Sequence, residues 1–500
     1  MGSLSEQLHF VLFPFMSQGH LIPMTDIARL LAQQGVIIII VTTPVNAARV
    51  KPILSHAIQS GLPIHLAEIP FPCVETGIPE GCETTDKLFS IESYCNFFRA
   101  INMQPEPVEK LFEELRPRPC CIISDFCLYY TRKIATKFQI PRISFHGFCG
   151  FSLVCDLILR FSDVRENMDS ESEHFTVPGL PEKFEFTKAQ MPIVTGEWKE
   201  FDELMSETDL AAYGEIVNTF EELESAYVEE YRKRRGGKVW CVGPVSLSQR
   251  DTLHKSQRGG KAAIDKEECL KWLDSQEKGS VVYVCLGSIC NLISSQLIEL
   301  GLGIEASNRP FIWVLRESDK LKDLHKWIEE EGFEERIKGR GLVIRGWAPQ
   351  LLILSHPAVG GFLTHCGWNS ALEGICSGLP LITWPLFGDQ FCNEKLVVQI
   401  AKTGVRRAIL RLLPRSGVEQ PMVIGKEEEI GVLVKKEDVK NAIEQLMDGG
   451  KEAEERRKRA RELAQMAKKA IEVEGSSHRH ITQLIQDIMQ QSLVKDLRST

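Results

Sequence analysis

The sequence lacks several features that mark other classes of protein. Its 15 cysteines include no CxxC pair, which argues against a zinc ribbon or a thioredoxin-type site. The net charge is −9, so nucleic acid, which favours a basic surface, is not an expected partner. The most apolar run, Val36–Val41, is too short to cross a membrane and predicts no stable insertion. No Asn-x-Ser/Thr site occurs, and together with scattered cysteines this favours a reducing, cytoplasmic location.

The length of the chain indicates more than one folding unit. Its 500 residues are too many for a single core and suit two domains of roughly 200–250 residues each. The first residues, MGSLSEQLHFVLFPF, lack the basic stretch and the long apolar run of a signal peptide. We therefore expect a globular chain that is not exported.

Strands and helices alternate along the first half of the chain. Leu8–Phe13 and Val36–Val41 are apolar runs that predict strands, and Leu21–Gln34 between them has apolar residues at helical spacing before Gly35. The same alternation returns at Cys121–Ser124, a strand, at Tyr129–Phe138, a helix, and at Arg142–Phe145, another strand. Such an alternation is typical of a parallel sheet covered by helices.

A second alternation follows a polar segment. The strand Val239–Pro244 leads into Ser246–Lys261, whose composition predicts an interdomain linker. Beyond it, Ser294–Ser307 predicts a helix. The predicted strands are Ser280–Leu286, Phe311–Leu315, Leu342–Arg345, Val359–Thr364, Pro380–Trp384 and Ile430–Val434. The expected fold class is α/β, with two facing Rossmann-like domains and a ligand cleft at the C-terminal ends of the strands.

These patterns divide the chain into four segments. We expect an N-terminal domain over residues 1–245, a linker over 246–264, a C-terminal domain over 265–475 and a C-terminal helix over 476–492. That last helix has Ile481, Leu484, Ile485 and Ile488 on one face, so we expect it to pack back toward the N-terminal domain. The preceding segment, Glu452–Ala470, predicts a highly charged amphipathic helix.

A group of polar residues in the second half has the chemistry of a nucleotide site. Trp347 follows a predicted strand and can stack on a planar base. His365, Asn369 and Ser370 lie at a strand-to-helix junction, where free N–H groups and the helix dipole suit a diphosphate. Glu373 lies on the same helix face as Asn369, and its carboxylate can accept two ribose hydroxyls.

A second pair of polar residues completes this group. Asp389 and Gln390 follow the strand that ends at Trp384, and one carboxylate and one amide suit sugar hydroxyls. Each piece alone has a plainer interpretation, because His365 could be a structural histidine and Asp389–Gln390 a helix cap. The order of an aromatic residue, a phosphate cradle, a carboxylate and a sugar-binding pair favours a nucleotide-sugar site.

The stretch from Trp347 to Gln390 also resembles a known signature. Its sequence is WAPQLLILSHPAVGGFLTHCGWNSALEGICSGLPLITWPLFGDQ, and it is similar to the signature box of plant secondary-product UDP-glycosyltransferases of family 1. The first half resembles the subgroup that acts on triterpenoids, steroids, cytokinins and flavonoids. The resemblance implies a GT-B fold and a hexosyltransferase that uses a UDP-sugar as co-substrate, with no metal or other cofactor.

The resemblance also implies a role for each residue of the box. Gln390 at the last position favours UDP-glucose as the donor. The implied contacts are uracil stacking by Trp347, base and ribose contacts by Ala348 and Gln350, ribose binding by Glu373, diphosphate binding by Ser288, His365, Asn369 and Ser370, and sugar binding by Trp368, Asp389 and Gln390.

A catalytic pair is expected in the first half. His20 follows Ser17-Gln18-Gly19 at the turn after the first predicted strand, where it faces the cleft and can act as a base on a hydroxyl. A helix cap is the plainer interpretation of His20, but the resemblance places the catalytic base there. Asp125 matches the second catalytic residue of the family, which orients the imidazole. It could also be the N-cap of the helix before Tyr129.

The acceptor is the open question. Its pocket is expected from first-half loops around Ile78–Phe89, His146–Phe151 and Met191–Trp198, which are apolar and aromatic and favour a flat lipophilic molecule. A triterpenoid or steroid hydroxyl is the first expectation and a flavonoid or other phenol the second. The candidate acceptor residues are Phe15, Gly19, Phe126, His146 and Phe148.

Some alternatives stay open at this stage. The first alternative is a different donor, such as UDP-galactose, UDP-xylose or UDP-glucuronate. A non-catalytic UDP-sugar-binding protein is another, since relatives of the family lack the extra segment Arg407–Ser416. A dehydrogenase is a third, but Gly301–Ala306, a near miss of the dinucleotide pattern, lies in a predicted helix. We expect a monomer.

Overall fold

Two parallel β-sheets form the framework of the protein. The computed structural model describes residues 7–88, 90–164, 167–191, 196–248, 258–259, 262–287, 292–316, 321–406 and 434–499. Within these ranges one sheet lies in each half of the chain, and helices cover both. No helix in the described ranges has the length and apolar character needed to span a membrane. The predicted α/β architecture of two Rossmann-like domains is confirmed.

The strands are short apolar runs whose side chains are mostly buried, as expected when helices cover both faces of a parallel sheet. In the first half they are β1 (His9–Phe13), β2 (Ile37–Thr42), β3 (Ile64–Glu68), β4 (Cys121–Asp125), β5 (Arg142–His146), β6 (His174–Thr176), β7 (Glu185–Thr187), β8 (Gly214–Val217) and β9 (Val239–Cys241). In the second half they are β10 (Val281–Cys285), β11 (Phe311–Leu315), β12 (Gly341–Arg345), β13 (Val359–Thr364), β14 (Leu381–Thr383) and β15 (Gly404–Arg406).

The helices alternate with these strands. In the first half they are α1 (Gln18–Gln33), α2 (Pro44–Gln59), α3 (Ile91–Ile101), α4 (Pro105–Glu114), α5 (Thr131–Phe138), α6 (Gly150–Arg160), α7 (Glu197–Leu210) and α8 (Glu221–Arg234). In the second half they are α9 (Lys266–Asp274), α10 (Ser294–Ala306), α11 (Lys322–Glu330), α12 (Phe333–Arg336), α13 (Gln350–Leu354), α14 (Trp368–Cys376), α15 (Gln390–Lys395), α16 (Lys436–Met447), α17 (Lys451–Ala470) and α18 (Ser476–Ser499). Leu396–Ile400 is a π-helical turn.

Most predicted elements are present with bounds shifted by one or two residues. The strands Phe311–Leu315 and Val359–Thr364 have the predicted bounds. The helix predicted at Tyr129–Phe138 begins later, at Thr131, because a turn after Asp125 precedes it. The glycine-rich stretch Gly301–Ala306 lies inside a helix, as predicted. Of the strand predicted at Ile430–Val434, only Val434 is within the described residues.

The sequence patterns missed several strands. Ile64–Glu68 (β3) is an edge strand whose residues are mostly half-buried or exposed, so it lacks the continuous apolar run that predicts a central strand. Gly214–Val217 (β8) contains Glu215, whose buried carboxylate accepts a hydrogen bond from Tyr231 and pairs with Arg235. A charged residue in a short strand conceals the apolar pattern. The hairpin β6–β7 is antiparallel and separate from both sheets.

Strand order reverses once inside each sheet. The first sheet has the order β3-β2-β1-β4-β5-β8-β9 and the second β12-β11-β10-β13-β14-β15. The connections from β1 and β4, and from β10 and β13, therefore leave in opposite directions, which opens a crevice at the carboxyl ends of those strands. His20 follows β1 and Asp125 ends β4, while His365 follows β13. The predicted site residues thus lie at both reversal points.

The helix Ser476–Ser499 lies against the first sheet although it follows the second in sequence. Leu484 and Ile488 are buried in the apolar cluster that covers β1, β4 and β9. Asp487 accepts hydrogen bonds from Tyr213 Oη, at 2.6 Å, and from Lys238 Nζ, at 2.7 Å. The domain boundaries at 245, 264 and 475 stay a prediction, since residues 249–257 and 260–261 of the linker lie outside the described ranges.

The contact between this helix and the first sheet predicts a stability effect. Leu484→Ala removes a fully buried side chain and is expected to lower the free energy of unfolding by about 2–4 kcal/mol. Leu493→Ala, on the same helix but 58% exposed, is the matched control and should change it little. Urea unfolding followed by circular dichroism measures both, and equal midpoints for the two variants would contradict the packing described.

Candidate active site

A cleft of about 530 Å³ lies between the carboxyl edges of the two sheets. Its walls come from both halves of the chain, so neither sheet alone could form it. The predicted site residues among its lining are Gly19, His20, Phe148, Trp347, Ala348, Gln350, His365, Trp368, Asn369, Ser370, Glu373, Asp389 and Gln390. Ser288, the remaining donor residue of the prediction, lies outside the described residues.

His20 and Asp125 form a hydrogen-bonded pair at the reversal point of the first sheet. His20 Nδ1 lies 2.7 Å from Asp125 Oδ2, and the Asp125 side chain is fully buried. Its other oxygen, Oδ1, accepts from the backbone N–H of Cys127 at 3.0 Å. Asp125 is therefore held at both oxygens, and the N-cap of the next helix is Tyr130 rather than Asp125.

Burial and the neighbouring carboxylates shift the pKa of His20 in opposite directions. Burial lowers the pKa of His20, but the charge of Asp125 and its hydrogen bond outweigh burial, and the charge of Asp389 adds to them, so the pKa is raised above its usual value. Because Nδ1 is bonded to a carboxylate, it carries the proton in the neutral ring. Nε2 is then the atom free to accept a proton from a molecule in the cleft.

Aromatic rings surround the His20 imidazole. The ring centroid of Phe15 lies 5.3 Å from that of His20, that of Phe126 lies 6.3 Å away, and that of Phe148 lies 6.4 Å away. Phe15 is buried, whereas Phe126 and Phe148 are half-buried. These three candidate acceptor residues therefore form an aromatic wall beside His20, and Phe148 is the member of it that lines the cleft. The part of the predicted pocket at Phe89 and at residues 192–195 lies outside the described residues.

His146 is placed differently from the prediction. Its ring is stacked on Phe126, with centroids 5.3 Å apart, and its side chain is 5% exposed. Nε2 lies 3.0 Å from Asp209 Oδ1 and 3.5 Å from Glu215 Oε2. His146 thus packs behind Phe126 and is not among the residues that line the cleft, and its contact with an acceptor stays a prediction. Burial lowers the pKa of His146, but the neighbouring charge of Asp209 raises it above its usual value.

The same residues form the one cluster in the described part of the chain whose spacing could hold a metal ion. His146, Asp209 and Glu215 offer ligand atoms within 4.8 Å of one another. Arg235 contacts both carboxylates and fills part of this space with a fixed positive charge. The cluster is therefore a buried ion-pair network, and it lies behind the aromatic wall, away from the cleft lining.

The N-terminus of the helix Trp368–Cys376 opens onto the cleft. Its N-cap residue is Gly367 and no side chain caps it, so first-turn N–H groups are available to an anion. Burial lowers the pKa of His365 to about 4, which keeps the ring neutral. A Cβ at Gly367 or at Gly287 would lie 2.3 or 2.5 Å from this ring, so glycine is required at both positions.

Two further side chains, Asn369 and Ser370, belong to the predicted phosphate site at this helix N-terminus. Asn369 Nδ2 donates to Gly19 O across the cleft at 2.6 Å. Ser370 Oγ accepts from Gln350 Nε2 at 3.2 Å. Asn369 therefore links the predicted phosphate site directly to the turn that carries His20.

Trp347, Gln350 and Glu373 lie together at the far end of the cleft. Glu373 is 4% exposed, and its Oε2 accepts from Gln350 Nε2 at 2.8 Å. Gln350 is the first residue of α13, directly after Pro349, and it lines the cleft together with Trp347. The predicted base-stacking ring and ribose carboxylate are linked through one residue, Arg258, which bonds both of them.

Arg258 was missed by the sequence patterns. It lies in the segment predicted as a linker, yet its guanidinium bonds both Asp26 and Glu373, and its carbonyl oxygen accepts from Trp347 Nε1 at 3.3 Å. An arginine beside a glycine pair in a polar segment was the available signal, but such segments are usually solvated.

The predicted sugar-binding pair lies at the start of α15. Burial raises the pKa of Asp389 to about 6, although Asn393 donates to its carboxylate at 2.7 Å. Gln390 Oε1 accepts from the backbone N–H groups of Leu386 and Phe387. Because the turn uses that oxygen as an acceptor, the amide nitrogen, a donor, is the group of Gln390 left for a ligand.

The side chain of Trp368, in the second half of the chain, is bonded to the first half. Its indole Nε1 donates to Asn218 O at 2.7 Å, and the side chain is 3% exposed. The indole N–H is therefore used within the protein, and the sugar-binding role of Trp368 stays a prediction. Asn218 is a second residue that the sequence patterns missed.

Two protein-family models match the chain. The model described as UDP-glucoronosyl and UDP-glucosyl transferase matches residues 261–420. The model described as the N-terminal domain of glycosyltransferases matches residues 6–247. The first match includes the whole stretch from Trp347 to Gln390, and the second includes His20 and Asp125.

Individual relatives match nearly the full length. UDP-glycosyltransferase 73C12 of Barbarea vulgaris is 60% identical over 490 residues, which is 97% of each chain. UDP-glycosyltransferase 73C5 of Arabidopsis thaliana is 59% identical over 491 residues, again 97% of each chain. Among solved structures, UGT73P12 of Glycyrrhiza uralensis, complexed with glycyrrhetinic acid 3-O-monoglucuronide, is similar with a TM-score of 0.87, 36% identity and coverage of 99% of this chain and 98% of its own.

The geometry around His20 predicts a titration behaviour. The pKa of His20 should lie above its usual value, and Asp125→Asn should lower it, because burial then acts without the opposing carboxylate charge. Nuclear magnetic resonance of labelled histidine side chains measures both. His365, with a pKa lowered to about 4, is the internal reference that stays neutral. An unchanged His20 pKa in Asp125→Asn would contradict the pairing.

Proposed function

Because the chain belongs to the UDP-glucuronosyl and UDP-glucosyl transferase family, it is a UDP-glycosyltransferase, and we propose that it transfers glucose from UDP-glucose to a hydroxyl of a lipophilic plant metabolite with inversion at the anomeric carbon. The first expectation for the acceptor is a triterpenoid or steroid. Membership of the family sets aside the non-catalytic and dehydrogenase alternatives.

One observation supports the proposal more than any other. His20 from the first half and Asp389 from the second half line the same cleft, and Asp125 holds His20 Nδ1 at 2.7 Å from behind. A base and a sugar-binding carboxylate are thereby brought to one point. An acceptor hydroxyl beside His20 would meet the anomeric carbon of a sugar held at Asp389.

The proposed reaction is a single displacement. His20 Nε2 takes the hydroxyl proton while Asp125 stabilises the imidazolium that forms. The acceptor oxygen forms a bond to the anomeric carbon, and the bond from that carbon to the phosphate oxygen breaks. UDP leaves with the bonding electrons, and attack from the opposite side gives a β-glucoside. Because the pKa of His20 is raised, the rate should increase with pH until the ring is neutral.

The donor would lie along the second sheet in the order of the residues that face it. Uracil stacks on Trp347 with support from Ala348 and Gln350, and the ribose hydroxyls bind Glu373. The diphosphate lies at the N-terminus of α14, where backbone N–H groups and neutral donors from His365, Asn369, Ser370 and Ser288 stabilise the leaving group. We propose that no metal ion is needed for this.

The proposal that glucose is the transferred sugar rests on Asp389 and Gln390, the last two residues of the stretch Trp347–Gln390. Asp389 accepts from sugar hydroxyls, and the amide nitrogen of Gln390 donates to one. Gln390 is 2% exposed and held by the turn at Leu386, so the position of its nitrogen is fixed. A rigid donor at this point selects among hexoses that differ in the orientation of one hydroxyl.

The acceptor class follows from the aromatic wall beside His20. Phe15, Phe126 and Phe148 offer flat apolar surfaces and few polar groups, which suits a large lipophilic molecule with one hydroxyl at the base. The solved relative UGT73P12, bound to glycyrrhetinic acid 3-O-monoglucuronide, supports this class. A flavonoid is the second candidate, supported by UGT89C1 of Arabidopsis thaliana, crystallised with quercetin, which is 25% identical with a TM-score of 0.72.

Three further expectations belong to the proposal. The protein is proposed to be a cytoplasmic monomer, on the basis of its cysteine use and its acidic net charge. The extra segment Arg407–Ser416 lies outside the described residues, and we propose that it is compatible with activity, because a chain tolerates an insertion at small entropic cost.

Turnover tests the proposed function directly. The purified protein is incubated with UDP-glucose and a panel of triterpenoids, steroids and flavonols, and products are detected by mass spectrometry. A β-configured glucoside, identified from its anomeric proton coupling, is expected with at least one lipophilic acceptor. An α-glucoside would contradict single displacement, and transfer from UDP-galactose alone would contradict the donor assignment.

The role of His20 predicts a separation of binding from turnover. His20→Ala should lower kcat by about 10²–10⁴-fold while leaving the dissociation constant for UDP unchanged, because the ring touches the acceptor and not the nucleotide. His56→Ala, an exposed histidine on α2, is the matched control and should keep full activity. Calorimetry with UDP and steady-state kinetics measure the two effects, and full activity of His20→Ala would refute the assignment.

A further inference from the structure

We propose that Arg258 is a positioning residue for the donor: it holds the Glu373 carboxylate in the orientation that binds ribose and ties it to the helix that carries His20. This inference rests on the proposed function, because it assigns a role within the same site. It gives a function to part of a segment that the sequence patterns treat as a linker.

The side chain of Arg258 bridges the two halves of the molecule. Its Nε donates to Asp26 Oδ2 at 3.0 Å, and its Nη1 donates to Glu373 Oε1. Asp26 lies on α1, whose first turn contains His20, and Glu373 lies on α14, whose N-terminus opens onto the cleft. One guanidinium therefore joins the helix of the base to the helix of the phosphate cradle.

Charge explains why an arginine occupies this position. Asp26 is 2% exposed and Glu373 4% exposed, and two buried carboxylates facing each other are unfavourable without a positive partner. The Arg258 side chain is itself only 11% exposed, so the three groups form a compact buried triad. The planar fork of arginine can satisfy both carboxylates at once, which the single ammonium of lysine does less well.

The backbone next to Arg258 contacts the predicted base-stacking ring. Its carbonyl oxygen accepts from Trp347 Nε1 at 3.3 Å. A Cβ on Gly259 would lie 2.1 Å from Trp347 Cζ2, and its φ is +91°, so glycine is required for this close approach. Arg258 and Gly259 thus contact two of the residues that are predicted to bind the nucleoside, Trp347 through the backbone and Glu373 through the side chain.

The consequence for ribose follows from the lone pairs of Glu373. Arg258 bonds one carboxylate oxygen and Gln350 bonds the other, so the carboxylate is fixed in rotation. Each oxygen keeps further acceptor capacity for a ribose hydroxyl. Without Arg258 the carboxylate would lose its charge partner and its orientation, and the protein would lose its preference for a nucleotide with ribose hydroxyls.

The test compares UDP with 2′,3′-dideoxy-UDP. Isothermal calorimetry of the wild type is expected to show at least about tenfold tighter binding of UDP, the size of a lost charge-assisted pair of hydrogen bonds. In Arg258→Met, UDP should bind at least about tenfold more weakly, and the preference for UDP over the dideoxy nucleotide should disappear. Arg258→Lys should recover part of it. KM for UDP-glucose should rise, while KM for the acceptor stays unchanged.

Arg345→Met is the matched control. Arg345 pairs with Glu334 on the surface and is 36% exposed, so removing it should leave the discrimination between the nucleotides as in the wild type. Circular dichroism shows whether each variant is folded. If Arg258→Met is unfolded, Arg258→Lys decides the test: a reduced preference for UDP supports the inference, and a preference equal to that of the wild type overturns it.

Several results would overturn the inference. An undiminished preference for UDP in Arg258→Met, or an equal weakening of both nucleotides that leaves their ratio unchanged, would show that Arg258 does not act through Glu373. A wild type that binds both nucleotides equally would remove the ribose role of Glu373 and the inference with it. Failure of the proposed function is distinct, because it would be a wild type that prefers UDP but transfers no glucose.

Discussion

The reversal of strand order beside β1 and beside β10 is the constraint on which the rest of the site depends. In each sheet it separates two neighbouring connections and leaves a crevice at the carboxyl ends of the strands. The first crevice holds the pair His20 and Asp125, and the second holds the helix N-terminus after His365. Because the two carboxyl edges face each other, His20 and the N-terminus of α14 meet in one cleft.

The cleft also depends on carboxylates that are removed from solvent and are held by polar or charged partners. Asp125, Glu373 and Asp389 are buried or half-buried carboxylates, and each has a partner of different character: a histidine, an arginine and an asparagine. Asp125 is bonded to His20 Nδ1, and Glu373 is held by Arg258. Burial raises the pKa of Asp389 to about 6, although the hydrogen bond from Asn393 opposes that shift. The chemistry proposed for each carboxylate follows from that partner.

The sequence was sufficient for elements with a strong local signal and insufficient for contacts made across the fold. Phe311–Leu315 was predicted because a buried parallel strand is apolar along its whole length, whereas the edge strand Ile64–Glu68 is not. His20 and Asp125 lie at the strand ends where the sequence patterns predicted them, and their catalytic role stays a prediction. The position of His146 behind Phe126, and the bridge formed by Arg258, depend on residues far apart in sequence, and no local pattern reveals them.

The central claim is that the nucleotide lies along the second sheet, with its diphosphate at the N-terminus of α14. The most direct test is the electron density of crystals soaked with UDP. Uracil on the ring of Trp347, ribose at Glu373 and the diphosphate beside His365 are the predicted result. Nucleotide density at the carboxyl edge of the first sheet, with the second edge empty, would contradict the account.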